Sequence, residues 1–212
     1  MRETMRKSER FWDRTAKRYD NPINGEDDVA ISTIDLTRKY LQSSDVVLDF
    51  ACATGRYALE IAPEVETVWG IDISAEMIRV AKRIAVKSGI KNVQFIRAEI
   101  TDPQLEDESY NVVLAYNILH LVDDPVRVIA RIKQLLKPGG LFISVTPCLG
   151  AGRSLQTAVI KLSGRLGIVP ATHPFKPNEV EELICRAHFD LVETQMLKDQ
   201  MPVVFIAARR RL

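Results

Sequence analysis

Short apolar runs alternate with helical patterns through the middle of this chain. Val46–Phe50 is apolar apart from Asp49, and Thr67–Ile71, Val93–Ile96, Asn111–Ala115 and Leu141–Thr146 are runs of the same kind. Such runs, bounded by turn residues, predict strands buried within a sheet. Between them Gly55–Ala62, Ala75–Ser88 and Pro125–Leu136 carry helical patterns long enough to cross back over parallel strands. The helix from Ala75 puts Met77, Ile78, Ala81, Ile84 and Ala85 on one side and lysines and arginines on the other. Ser74 and Glu76 are start signals for it and Gly89 is the stop. The alternation predicts an α/β fold with a doubly wound, mostly parallel sheet.

The flanks differ from this rhythm. Met5, Trp12, Ala16 and Tyr19 recur at roughly helical spacing with basic residues between them, which predicts one amphipathic helix ending before Asn21-Pro22. A second helix is predicted over Asp27–Tyr40. Residues Cys148–Lys176 carry several glycines and prolines and one apolar helical stretch near Leu155–Leu166, an insertion placed to cap a site. A helix over Pro177–Ala187 follows, then β-like runs Phe189–Met196 and Val203–Ala208. The short link Lys198-Asp199-Gln200 makes those two an antiparallel pair.

Length and charge narrow the classes. A chain of 212 residues suits one domain. Hydrophobic residues at 46% and charged residues at 27% give no case for extensive disorder. A formal charge of +1 supplies no global field for nucleic acid or anionic lipid, so no DNA partner is expected. The charged first ten residues lack the apolar core of a secretory signal, and the uncharged stretch Gly139–Gly152 is shorter than the roughly 20 residues of a membrane span. The expectation is a cytoplasmic protein without a membrane span. Cys52, Cys148 and Cys185 lie far apart without a CxxC pair, which argues against a zinc site and for reduced thiols. Arg209-Arg210-Arg211 is a solvated end.

Ligands of open α/β sheets bind beyond the carboxyl ends of the strands, so the loop after the first strand is the first place to look. It runs Asp49-Phe50-Ala51-Cys52-Ala53-Thr54-Gly55-Arg56. Small residues at 51, 53 and 55 let a ligand approach the backbone, and the next helix offers free N–H groups to an anionic group. A dinucleotide site requires GxGxxG, but alanines replace the first two glycines and Arg56 occupies the third position. Asp72 ends the second strand about 20 residues further on, where a carboxylate can bond ribose hydroxyls. Its other reading is as a cap for the helix near Ser74.

This loop, with its acid and alternating small residues, resembles that of class I S-adenosylmethionine-dependent methyltransferases, Gly55 keeping the family glycine. Ala51 and Ala53 depart from the family glycines, and each methyl narrows the space for the methionine part of the cofactor. The resemblance implies that Asp49, Ala51, Ala53 and Gly55 form the cofactor loop, that Asp72 binds the ribose, and that Ile73 and Met77 flank the nucleoside. Arg97-Ala98-Glu99-Ile100 resembles the adenine turn, with Glu99 where aspartate is commoner. The segment Tyr116-Asn117-Ile118-Leu119-His120-Leu121-Val122 resembles the part that faces cofactor and acceptor, with Asn117 as its cofactor contact. Lys137-Pro138-Gly139-Gly140 resembles the turn into the fifth strand. The family fold is Rossmann-like, with seven strands and an antiparallel last strand, and the C-terminal pair suits it.

Phe11-Trp12-Asp13-Arg14-Thr15-Ala16-Lys17-Arg18-Tyr19-Asp20 resembles the lid helix of small-molecule methyltransferases of the quinone-biosynthesis type. The resemblance implies that Tyr19 closes over the cofactor; packing of an amphipathic helix is the other reading of Trp12 and Tyr19. One methyltransferase domain over residues 1–212 is expected, with lid helices over about 1–42 and a cap over about 148–176.

Methyl transfer is an in-line displacement at a sulfonium, so positioning supplies much of the rate, and a base adds roughly 10²–10⁴-fold for a protonated nucleophile. His120 is the candidate base, with a structural histidine as the other reading; His173 is left outside the catalytic set. The expected acceptor is a small, partly hydrophobic molecule. A tRNA nucleoside acceptor and a non-catalytic nucleoside-binding module are the competing classes. Asn117 is followed by Ile118 and Leu119, so the Asn-Pro-Pro-Tyr signature of base-amine methylation is absent.

Overall fold

The computed structural model describes residues 2–19, 26–151, 172–198 and 202–212. Helix α1 (Arg2–Thr15) and helix α2 (Glu26–Arg38) precede strand β1 (Val46–Phe50). Then come α3 (Arg56–Ile61), β2 (Thr67–Asp72), α4 (Ala75–Ser88), β3 (Val93–Arg97), β4 (Tyr110–Tyr116), α5 (Pro125–Leu135) and β5 (Leu136–Pro147). The chain closes with α6 (Pro177–Arg186), β6 (Phe189–Lys198) and β7 (Val203–Arg210).

The strands make one sheet in the order β3-β2-β1-β4-β5-β7-β6. β1 to β5 pair in parallel, while β7 runs antiparallel between β5 and β6. The strand order reverses between β1 and β4, so a crevice opens where their carboxyl ends diverge. Successive side chains point to opposite faces, and both faces of the central strands are covered. Val47, Val68 and Leu114 pack under α2, α3 and α4, whereas Leu48, Ile71 and Val113 pack under α5 and α6.

Local signals explain the element ends. Ser74 accepts a hydrogen bond from Met77 N–H as the N-cap of α4, and Gly89 ends that helix at φ 70°. Asp124 caps α5 through Arg127 N–H, with Pro125 in the first turn. The helix expected to reach Tyr19 instead stops at Thr15 and continues as a 3₁₀ turn over Ala16–Arg18. There the Thr15 hydroxyl donates back to the carbonyls of Phe11 and Trp12, a bond that competes with regular helix. β5 starts earlier than Leu141: Leu136 pairs with Tyr110, Lys137–Gly140 bulge out, and regular pairing resumes at Leu141 opposite Val112. The helical stretch expected near Leu155–Leu166 lies outside the described residues. No helix among the described residues is long and apolar enough to cross a membrane.

Candidate active site

A cavity of about 570 Å³ opens at the carboxyl ends of β1 to β4, between the sheet, α1 and α5. That volume falls in the range of small-molecule sites, about 300–1,000 Å³.

The loop after β1 forms one wall with Phe50, Ala51 and Ala53. Its backbone is left-handed at alternate residues: φ is 60° at Ala51, 49° at Ala53 and 80° at Gly55. Alanine pays a steric cost of roughly 1–2 kcal/mol in that region. The fold holds it there through bonds on either side, with Cys52 N–H donating to Ile71 carbonyl at 2.9 Å and Gly55 N–H to Cys52 carbonyl at 2.8 Å. Gly55 has a second constraint. A Cβ on it would lie 2.5 Å from the Phe95 ring, and one on Gly70 would lie equally close. The ring of Phe95 thus fills the space under the loop and both glycines make room for it.

Asp72, at the end of β2, joins the loop to the next helix. Its Oδ2 accepts from Ala53 N–H at 3.0 Å and its Oδ1 from Ser74 N–H at 2.8 Å. Burial raises its pKa, and those N–H bonds act in the opposite direction. Behind the wall, Asp49 is 2% exposed, and its Oδ2 has no hydrogen-bond partner among the described residues. Burial, followed by the charge of Asp72, pushes the Asp49 pKa up to about 7 against the opposing effect of Ala58 N–H. Two acidic side chains therefore sit together under the loop wall.

Ile73 and Met77 continue the wall beyond Asp72, followed by Ala98, Glu99, Ile100 and Thr101 after β3. The end of β4 contributes Tyr116, Asn117, Ile118, Leu121 and Val122. Asn117 is left-handed at φ 55°, and its N–H donates to Val145 carbonyl at 2.8 Å. Tyr116 stacks edge-on against Tyr57 with ring centroids 4.8 Å apart. Its hydroxyl lies 2.5 Å from Thr37 Oγ1, which in turn lies 2.7 Å from Thr33 carbonyl. A carbonyl only accepts, so Thr37 donates to Thr33 and Tyr116 donates to Thr37. Over the opening, α1 and the turn after it supply Ser8, Trp12 and Tyr19, the last 43% exposed.

Of the residues singled out in the sequence, Tyr19, Ala51, Ala53, Asp72, Ile73, Met77, Glu99, Ile100 and Asn117 meet around this one cavity. Asp49 and Gly55 stand behind its wall and shape it. His120 is not brought to the wall. Its ring is buried, its Nδ1 has no partner among the described residues, and burial together with His173 presses its pKa down to about 4. His173 braces the same segment, donating its backbone N–H to His120 carbonyl at 2.7 Å, with Nε2 lying 2.8 Å from Val122 carbonyl. Trp12 and Tyr116, which belong to the lid-helix and post-β4 segments but are not among the expected cofactor contacts, also line the wall. The position of Tyr116 at the carboxyl end of β4 was a usable signal. No metal-holding cluster of His, Cys, Asp or Glu occurs among the described residues.

Residues 41–194 match the family described as a methyltransferase domain. A ubiquinone biosynthesis O-methyltransferase of Paracidovorax citrulli is 29% identical over 157 residues, covering 70% of this chain and 65% of the relative. One of Salmonella newport is 35% identical over 133 residues, covering 61% of this chain and 54% of the relative. The chain thus spans less than two thirds of the length of these curated relatives. A solved structure of a SAM-dependent methyltransferase from Aquifex aeolicus superposes with a TM-score of 0.70 at 18% identity, over 93% of this chain and 97% of the other, and shares the fold.

Proposed function

The chain belongs to the methyltransferase domain family, and from that premise we propose that it transfers a methyl group from S-adenosylmethionine to an oxygen of a small, partly hydrophobic acceptor. The observation that carries this reading is the convergence of Asp72, Glu99 and the left-handed turn at Ala51 and Ala53 on one cavity at the carboxyl ends of the strands.

The residues suit the cofactor's chemistry. It carries a sulfonium and an ammonium, and the buried carboxylates of Asp49 and Asp72, one Asp49 oxygen having no partner among the described residues, are stabilised by positive charge brought next to them. Each Asp72 oxygen accepts one backbone N–H and keeps lone-pair capacity for ribose hydroxyls. Glu99 would accept from the adenine amine, Ile73 and Met77 would flank the ring, and Asn117 would meet the methionine side, all four lining the cavity.

When bound, the cofactor would supply an activated methyl carbon whose bond to sulfur breaks as the bond to the acceptor oxygen forms, leaving the thioether S-adenosylhomocysteine, while the proton of the acceptor hydroxyl passes to solvent. The protein's share is orientation and exclusion of water. Trp12, Tyr116, Ile118, Leu121 and Val122 give an apolar surround next to Asn117. With the Tyr116 hydroxyl committed to Thr37, that side chain presents an apolar edge and no free acid. The O-methyltransferase relatives favour oxygen as the nucleophile. No step is assigned to His120, since its ring lies off the cavity wall.

Titration calorimetry with S-adenosylmethionine and S-adenosylhomocysteine tests the cofactor half, and transfer of labelled methyl groups to metabolite extracts identifies the acceptor. Absence of binding at millimolar ligand, with Asp72→Ala changing nothing, would abandon the reading.

A further inference from the structure

Helix α1 lies over the cavity through Ser8 and Trp12. None of its residues from Lys7 to Thr15 is fully buried, and only Ala16 in the following turn is. Among the described residues, two polar contacts tie it to the segments that shape the cavity. Asp13 Oδ1 accepts from the Ser74 hydroxyl at 2.6 Å and from Glu76 N–H at 3.2 Å. One turn earlier, Glu9 forms an ion pair with Arg97, whose Nε donates to Ile73 carbonyl at 3.1 Å.

The partners of this attachment are the residues that shape the nucleoside side of the cavity. Ser74 gives its proton to Asp13, accepts from Met77 N–H as the cap of α4, and donates its own N–H to Asp72. Glu76 N–H is one of the first-turn donors that a helix leaves unsatisfied, and a carboxylate there is also favoured by the helix dipole. Arg97 directly precedes Ala98 and Glu99. Glu9 and Asp13 are four residues apart and so share a helix face, while Ser8 and Trp12, also four apart, turn to the cavity. One helix thus carries a gripping face and a covering face side by side.

We propose that Glu9 and Asp13 form a polar latch holding α1 closed over the cavity, with Asp13 the positioning residue that sets how fast a nucleoside ligand enters and leaves. The inference rests on the cofactor reading above for the identity of the ligand, but not for the existence of the latch. No residue of α1 from Lys7 to Thr15 is fully buried, so lifting that part of the helix means breaking these two hydrogen-bonded clusters, reversibly, as a lid requires.

The test uses the full chain. The protein has two tryptophans, and Trp69→Phe leaves Trp12 as the sole reporter at the cavity. Without ligand, Asp13→Ala is expected to raise acrylamide quenching of Trp12 about twofold or more, Asp13→Asn less, and Glu9→Gln measurably, with the main thermal transition of the sheet retained. In stopped flow, S-adenosylhomocysteine should leave Asp13→Ala about tenfold faster than the parent, as expected for lost hydrogen bonds to a charged group. Unchanged quenching and unchanged dissociation in both Asp13→Ala and Glu9→Gln overturn the latch. If Asp13→Ala unfolds the protein, Glu9→Gln carries the decision. If the parent binds no S-adenosylhomocysteine, the cofactor reading fails while the quenching arm still decides the latch.

Discussion

The backbone N–H of Ala53 donates to Oδ2 of Asp72 across 3.0 Å, tying the loop after β1 to the end of β2. Asp72 therefore holds the cavity wall together as well as facing its interior. Asp72→Ala leaves the N–H groups of Ala53 and Ser74 without their acceptor, at a cost of about 1–3 kcal/mol in stability for partly buried donors. It also removes the ribose acceptor, so calorimetry should show S-adenosylhomocysteine affinity reduced about 100-fold, the loss expected for a charged hydrogen-bonding group. Intact affinity with lowered stability would leave Asp72 a structural role only.

Ala51 and Ala53 occupy left-handed backbone with φ of 60° and 49°. Glycine adopts that region without the clash that alanine suffers, although it gives the unfolded chain more freedom. The two effects oppose each other and the steric one is larger, so Ala51→Gly and Ala53→Gly should each raise stability by about 0.5–1 kcal/mol. Chemical denaturation checks the sign. A loss of stability in both would mean that the loop adopts another conformation.

The legible and illegible parts of this fold differ in range. The strands showed because runs such as Val46–Phe50 are apolar on both faces, and the ends of α4 showed because Ser74 and Gly89 are local signals. The left-handed turns at Ala51 and Ala53 were visible only as small residues at alternate positions, since alanine carries no preference for positive φ. Phe95 filling the space beneath Gly55 and Asp13 reaching Ser74 are tertiary contacts between distant segments, and neither leaves a local pattern. His120 stood in a segment that borders the cavity, yet its ring is packed away from it, because neighbouring positions of an irregular segment point in different directions.

Tyr116 tests how α2 is fixed to the site. Its hydroxyl donates to Thr37, which passes its own proton to Thr33 carbonyl. Tyr116→Phe removes one buried bond while keeping the ring against Tyr57, so it should cost about 1 kcal/mol in thermal or denaturant unfolding. Thr37→Ala should cost more, because it leaves the Tyr116 hydroxyl buried without a partner; the double variant should recover part of that. Strict additivity of the two would show that the pair is not coupled.

Asp49 gives the site a dependence on pH whose sign can be worked out. Its pKa lies at about 7 in the folded chain, raised by burial and then by Asp72, whereas an unfolded aspartate titrates near 4. Between those values the folded state holds a proton that the unfolded state has lost, so this group's contribution to stability falls as pH rises from about 4 to about 7. A cationic ligand has the opposite preference, because it favours the ionised carboxylate. S-adenosylmethionine should then bind about tenfold more tightly at pH 8 than at pH 6, releasing up to one proton below pH 7. Calorimetry in two buffers of different ionisation enthalpy measures that release directly. Asp49→Asn should flatten the profile, and Asp72→Asn, by removing the neighbouring charge, should shift its midpoint downward. A flat profile in the parent protein would show that Asp49 does not respond to the charge in the cavity.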